Sequence, residues 1–247
     1  MALQLNHFGS QQDAADALAG AVAHQLRKAL TAQQRALLLV SGGRSPLPFF
    51  EALRAQDLPW ERLDISLVDE RAVPPEHADA NAAFVAQHLL VGPASAARWL
   101  PLIAEADPPQ PWALAQHAAA RANAAPLLAR ADCIVLGMGA DGHTASLFAD
   151  SPQWETACST EQRYVALQPG VAPHARVGLS LNALIDQRHC HVWSGGESKL
   201  ETLKRAKILA DDVAGGRVDA DLLFKAGPIA LLIAHPKVTL HVFHSNN

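Results

Sequence analysis

The stretch LGMGADGHTASLF, residues 136–148, decides how this chain is read. The run ADCIV from Ala131 leads into it, and ADCIVLG has the length and apolar character of a buried strand. Gly137, Gly139 and Gly142 spell G-x-G-x-x-G, the spacing of a dinucleotide-binding turn. Gly137 to Thr144 also follows the phosphate-loop spacing, but with His143 where that loop carries lysine. Neither motif is complete. A dinucleotide site needs a full crossover helix and an acidic residue about 20 positions on. Here Pro152 limits any helix starting near Thr144 to about two turns. The next strand, RYVALQ, ends in Gln168 rather than a carboxylate. A nucleoside triphosphate needs an ammonium at position 143, and imidazole is shorter and mostly neutral. What remains is a glycine-built turn whose amides can face an anion, next to a histidine able to act as a base. Asp141 could orient that histidine. Equally, Asp141 could cap a short helix with His143 in its first turn, and this stretch alone leaves both open.

Outward from the motif, apolar strands alternate with helices. Ser10 is placed to cap a helix through DAADALAGAVAHQLRKAL, followed by the strand RALLLV and the loop SGGRSP. A helix after Pro46, the strand LDISLV (63–68) ending in DER, and a helix around DANAAFVAQHLL come next. RWLPLI (98–103) is a weaker strand, and a long alanine-rich helix runs from Trp112 to Ala129. RYVALQ, HARVGLSL and RHCHVW (188–193) are further strands, the last ending in SGGESK. The charged segment ESKLETLKRAKILA reads as a solvated helix, and PIALLIA and VTLHVF as closing strands. The expected fold is α/β: a mainly parallel, doubly wound, Rossmann-like sheet with helices on both faces, as a single domain over 1–247. Four strands end in polar, mostly Gly-rich loops: SGGRS, DER, GMGADGHT and SGGESK. Ligands of open α/β sheets bind outside the carboxyl ends of the strands, so these loops together predict one polar pocket.

Composition narrows the class. The chain has 247 residues, 49% hydrophobic and 18% charged, with a formal net charge of -4, which argues against nucleic acid as a main partner. MALQLNHFGSQQD lacks the pattern of a signal peptide, and no apolar run reaches the roughly 20 residues that span a bilayer. Cys133, Cys158 and Cys190 are too few and too scattered for a disulfide framework or paired metal ligands. His189 and His191 flank Cys190 on one face of a strand, but no third ligand accompanies them, so core or surface histidines are expected. The simplest expectation is a cytoplasmic protein with no membrane partner, with a monomer as the default.

Several stretches together resemble the 6-phosphogluconolactonase family of the glucosamine-6-phosphate isomerase/deaminase-like superfamily. They are SGGRSP at 41–46, DERAVPP at 69–75 with Asn81 beyond, LGMGADGHTASLF at 136–148, HARVGLSL at 174–181 and SGGESK at 194–199. They occur in the family's order and cover most of the chain from Leu37 to Lys204. The resemblance implies hydrolysis of 6-phospho-D-glucono-1,5-lactone to 6-phosphogluconate in the oxidative pentose phosphate pathway, with no metal and no organic cofactor. It implies His143 as general base on water, with Asp141 beside it. It assigns phosphate binding to Ser41, Gly42, Gly43 and Arg44, with Arg71, Arg176 and Lys199 as further cations. Asp69, Glu70 and Gly139 are expected to line the site. Departures are Ala80 where relatives often carry serine, Gly178 where threonine is common, and an FHSNN terminus without the usual tryptophan and aspartate. The chemistry fits independently: a phosphate calls for amides and cations, and a lactone needs only an activated water and donors for an oxyanion. No G-x-S-x-G elbow is present to supply a covalent nucleophile. A deaminase or isomerase on the same scaffold, or a non-catalytic sugar-phosphate sensor, are the competing readings. TASLF after DGH, in place of an IAFNEP-like run, speaks against the deaminase, and retention of His143 against the sensor.

Overall fold

The computed structural model of the chain describes residues 2–104, 107, 109–187 and 189–246. Strand β1 (Ala2–Phe8) opens the chain, with Leu3 and Leu5 alternating against exposed Gln4 and Asn6. Helix α1 (Gln11–Leu30) follows, capped where Ser10 Oγ accepts the Asp13 N–H. Its buried residues Ala14, Ala15, Leu18, Ala19, Val22, Ala23 and Leu26 recur at helical spacing and form one apolar stripe. Four of these seven are alanines. Strand β2 (Ala36–Val40), helix α2 (Leu47–Arg54) and strand β3 (Leu63–Leu67) come next. Every residue of β2 and β3 is buried, as expected for strands covered on both faces.

The chain continues through β4 (Asp69–Arg71), α3 (Asn81–His88), β5 (Arg98–Trp99), α4 (Pro111–Ala124) and β6 (Cys133–Gly137). Then come α5 (Trp154–Ser159), β7 (Tyr164–Leu167), β8 (Arg176–Leu179), α6 (Leu181–Ile185) and β9 (His189–Gly195). Helices α7 (Glu197–Ala214), α8 (Asp221–Ala226) and α9 (Pro228–Ala234) precede the last strand, β10 (Thr239–Ser245). Among the described residues, seven strands form one parallel sheet in the order β1-β10-β9-β6-β2-β3-β5, with helices on both faces. The expected doubly wound α/β fold is therefore the observed one. The chain winds outward from β2 through β3 to β5, then returns to the other side of β2 with β6. The order of winding reverses between β2 and β6, and that is where a doubly wound sheet opens a crevice.

Several elements differ from the expectation. DER, RYVAL and ARVGL do not join the parallel sheet; β4, β8 and β7 form a separate antiparallel sheet of three strands. PIALLIA is helix α9, not a strand. Its Pro228 has no N–H for a ladder but suits a first helical turn after Gly227, whose φ of +93° turns the chain. A short apolar run has no period long enough to separate helix from strand. RWLPLI supplies only the two residues of β5, and the alanine-rich helix ends at Ala124, before Pro126. No helix starts at Thr144. Ala145 and Ser146 have φ of +51° and +58°, and Leu147 N–H donates to Thr144 O at 2.8 Å, which makes a tight mirror-image turn. Strand β1 was not anticipated, although LQLNHF carries a two-residue alternation. Arg188, with which the strand RHCHVW was expected to open, lies outside the described residues.

Candidate active site

Strands β9, β6, β2 and β3 are consecutive neighbours, so the loops after them meet at one edge of the sheet. A cleft of about 300 Å³ lies there, lined by residues of all four loops and of the small sheet. Two bonds fix the crevice at the reversal point. Ser41 N–H donates to Val135 O at 2.9 Å, and Ser41 Oγ accepts the Gly137 N–H at 2.8 Å. Ser41 therefore ties the ends of β2 and β6 together.

The loop after β6 presents the histidine. Gly142, at φ +85°, turns the chain back so that Gly139 N–H reaches His143 O at 2.9 Å. His143 Nδ1 then lies 2.6 Å from Asp141 Oδ1, and the same carboxylate oxygen accepts the His143 amide at 3.2 Å. The imidazole stacks on Phe148 with ring centroids 4.1 Å apart. Of the two readings left open by the sequence, Asp141 therefore touches the histidine and caps no helix. Gly139 is required by this pairing: a Cβ there would stand 2.3 Å from His143 Cε1 and Nδ1 and 2.4 Å from Asp141 Oδ1. An Nδ1–H held by a carboxylate leaves the Nε2 lone pair as the basic site.

Beyond His143, Thr144 Oγ1 donates to Gly137 O at 2.7 Å. Ser146 Oγ donates to Asp69 Oδ2 at 2.5 Å. These two bonds hold Ala145 and Ser146 in their left-handed conformations, which cost about 1–3 kcal/mol each for residues other than glycine. The amides of Ala145 and Ser146 have no acceptor among the described residues, and both residues line the cleft. Gly178 accommodates this turn from below, since a Cβ there would stand 2.3 Å from Ala145 O. The glycine noted as a departure thus has a local packing reason.

The cleft is also lined by three cations, Arg71, Arg176 and Lys199. Arg71 and Arg176 are directly paired residues of β4 and β8, so their side chains share one face of the small sheet. Arg176 is buried, and loss of water together with the neighbouring Arg71 pulls its pKa down, while Asp69 pulls the other way. Lys199, in the first turn of α7, is half-buried with its pKa lowered by desolvation. Arg71 Nε, Arg176 Nε and Asn81 Oδ1 are buried without partners among the described residues. Buried groups left unpaired cost about 1–3 kcal/mol each, so this cationic wall is built to receive a polar ligand. Among the described residues Asp69 is the only carboxylate lining the cleft, and its Oδ2 is occupied by Ser146. The loop after β2 adds to this wall: Gly43 has φ +84°, and the amides of Gly42, Gly43, Arg44 and Ser45 find no acceptor among the described residues.

Of the residues singled out from sequence, Ser41, Gly42, Asp69, Arg71, Gly139, His143, Arg176 and Lys199 line this cleft. Asp141 stands behind His143. Gly43 shapes the loop, whereas the Arg44 side chain is exposed and off the lining. Glu70 is elsewhere: it is buried, and its carboxylate accepts the amides of Asn81, Ala82 and Arg71 at 2.6–2.7 Å. It satisfies the N-terminus of α3 from outside the helix. Burial raises its pKa to about 7 against the opposing pull of those three amides. Asn81, Thr144, Ala145 and Ser146 carried no role in the sequence reading. Thr144 to Ser146 lay within the quoted motif. Asn81 was noted only beside the DERAVPP stretch, and its place follows from packing on Gly42 across the fold, where an added Cβ would stand 2.4 Å from Asn81 Cγ. His191 bonds Gln25 Oε1 at 2.8 Å, and no group of three or more potential metal ligands occurs among the described residues. None of the described helices is long and apolar enough to cross a membrane.

A family model described as "Glucosamine-6-phosphate isomerases/6-phosphogluconolactonase" matches residues 9–224. A 6-phosphogluconolactonase of Neisseria meningitidis serogroup A is 37% identical over 245 residues, spanning 97% of this chain and 98% of the relative. One from Pseudomonas aeruginosa is 42% identical over 212 residues, spanning 84% and 87%. The crystal structure of a putative 6-phosphogluconolactonase from Neisseria gonorrhoeae superposes with a TM-score of 0.85 at 35% identity, covering 98% of this chain and 99% of that one.

Proposed function

The chain belongs to the glucosamine-6-phosphate isomerase/6-phosphogluconolactonase family, and from that premise we propose that it hydrolyses 6-phospho-D-glucono-1,5-lactone to 6-phosphogluconate. The observation that carries this reading is one base and three cations lining the same cleft: His143, backed by Asp141, with Arg71, Arg176 and Lys199. In this reading residues 1–247 act as one domain on a small sugar phosphate of the cytoplasm, in the oxidative pentose phosphate pathway.

The phosphate occupies the cationic wall. Two guanidinium groups suit a dianion bidentately, and Lys199 adds a point charge. The unpaired amides of the loop after β2 supply further donors. The lactone carbonyl then lies toward His143. His143 Nε2 takes a proton from water as the water oxygen bonds to C1. The developing oxyanion is stabilised by the Ala145 and Ser146 amides, whose strained turn holds them in place before the substrate arrives. Collapse of the tetrahedral intermediate breaks the bond from C1 to the ring oxygen, which receives the proton from His143. Asp141 holds the tautomer and balances the transient imidazolium. Such a base contributes about 10²–10⁴-fold.

The test follows the 1,5-lactone by NMR as it forms from glucose 6-phosphate, with no enzyme, wild type and His143→Ala. Wild type should clear it well above the spontaneous rate, and the variant should lose about 10²-fold or more. Clearance by the variant at the wild-type rate would remove His143 from the mechanism. Wild type at the spontaneous rate would remove the activity.

A further inference from the structure

Arg71 and Arg176 face each other across β4 and β8, two like charges on directly paired residues. The carboxylates that act on them are Asp69, whose Oδ2 is already bonded to Ser146, and, from outside the cleft, Glu70 and Asp79. Each guanidinium is held by a loop carbonyl. Arg71 Nη1 donates to Asp79 O at 2.8 Å, and Arg176 Nη2 donates to Pro173 O at 3.1 Å. These carbonyls sit on different loops, one between β4 and α3, the other before β8. The loops are joined at their bases by Ala72 N–H donating to Ala175 O at 2.8 Å, and further out by one side-chain bond: His174 Nε2 lies 2.9 Å from Asp79 Oδ2. His174 follows Pro173 directly, and Asp79 supplies both the carboxylate and the carbonyl. His77 completes the cluster. Its Nδ1 accepts the Asp79 N–H at 3.0 Å, and its ring meets that of His174 edge-on at 5.7 Å. His174 has φ +69°, a conformation that a residue other than glycine keeps only where its surroundings impose it.

We infer that Asp79 and His174 form a clasp that positions Arg71 and Arg176 for the phosphate of the substrate. This rests on the proposed reading of the cationic wall as the phosphate site. Both are positioning residues: neither lines the cleft, and both act through the carbonyls that hold the guanidinium groups. With the clasp open, two repelling arginines on mobile carbonyl partners spread over many arrangements. Only a few of these fit a dianion, so affinity falls although no positive charge is lost.

The variants Asp79→Asn, His174→Gln and His174→Gly are compared with wild type and with Arg176→Gln. His174→Gly removes the imidazole while relieving the positive φ, so its fold should be retained. Inorganic phosphate is the binding probe, titrated directly by calorimetry, and melting temperature is recorded for each protein. Kinetics use the phosphorylated lactone and unphosphorylated glucono-1,5-lactone. For Asp79→Asn and His174→Gly we expect phosphate binding and KM for the phospholactone to weaken about tenfold, with kcat within a factor of three. Turnover of the unphosphorylated lactone should not change. A merely structural role would lower kcat and melting temperature together and act on both lactones alike; that result overturns the clasp. The clasp also falls if Arg176→Gln weakens phosphate binding while the three clasp variants bind as wild type does. If Arg176→Gln itself binds phosphate normally, the phosphate reading of the wall fails instead.

Discussion

Replacing Gly139 by alanine is the most direct probe of the His143–Asp141 pair. Glycine is not needed there for backbone reasons, since its φ lies outside the left-handed region. The added methyl, however, would stand 2.3 Å from two atoms of the His143 ring and 2.4 Å from Asp141 Oδ1. Carbon atoms settle at about 3.5–4.0 Å, so the pair must yield by roughly 1 Å. Asp141 is largely exposed and free to swing out, whereas the imidazole is already stacked on Phe148 at 4.1 Å. The carboxylate should move, the Nδ1 bond of 2.6 Å should lengthen or break, and Nε2 should lose its orientation. A displacement of about 1 Å in a catalytic group costs on the order of 10²-fold, or about 2.7 kcal/mol on the barrier. The cationic wall is built from other loops and should be unaffected. The assay is kcat and KM for the phospholactone by NMR with spontaneous hydrolysis subtracted, alongside phosphate affinity and melting temperature. We expect kcat to fall about 10²-fold, KM and phosphate affinity to hold within a factor of three, and stability to fall by less than about 1 kcal/mol. A kcat within a factor of three of wild type, in a folded variant, would refute the claim that this hydrogen-bonded pair sets the rate.

The remaining predictions concern the supports of the site. Glu70→Gln places an amide where three backbone N–H groups converge, so one donor faces another, and chemical denaturation should show a loss of about 1–3 kcal/mol. Because burial raises the Glu70 pKa from 4.5 to about 7, the folded state holds its proton more tightly than the unfolded chain. Its contribution to stability is full below pH 4.5 and fades as pH rises through about 7, by roughly 3 kcal/mol at most. Stability curves of wild type and Glu70→Gln should therefore differ in slope across this window, and parallel curves would contradict the assignment. Gly178→Ala drives a methyl to within 2.3 Å of Ala145 O, so the turn carrying the two free amides must shift. It should lower kcat by about tenfold or more and stability by about 1–3 kcal/mol, and unchanged kinetics would detach that turn from the chemistry.

The winding of the sheet was legible because strands buried on both faces are continuous apolar runs, as in ALLLV, and because the helices between them carry clean helical stripes. The loops SGGRS, DER, GMGADGHT and SGGESK could be placed at one edge from strand order alone, since a parallel sheet brings all its carboxyl ends to the same side. Asp141 and Gly139 also lay within reach of sequence, being two and four residues from His143. Other features depended on partners far along the chain. The small antiparallel sheet exists because Asp69 to Arg71 meet Arg176 to Gly178, a pairing across more than a hundred residues that no local period announces. Glu70 looked like part of the site, yet it faces α3. Successive strand residues point to opposite sides, and only the pairing of β4 fixes which side holds the cleft. The run PIALLIA became a helix because Gly227 and Pro228 start a helical turn better than a ladder. The turn at Ala145 and Ser146 opposes local preference altogether, and it persists through bonds to Asp69 and Gly137 and the space left by Gly178. Sequence thus determined the order of layers and singled out His143 as the candidate base, since both rest on short-range periodicity and spacing. Tertiary structure decided which side chains share the cleft, since that rests on contacts between residues far apart in the chain.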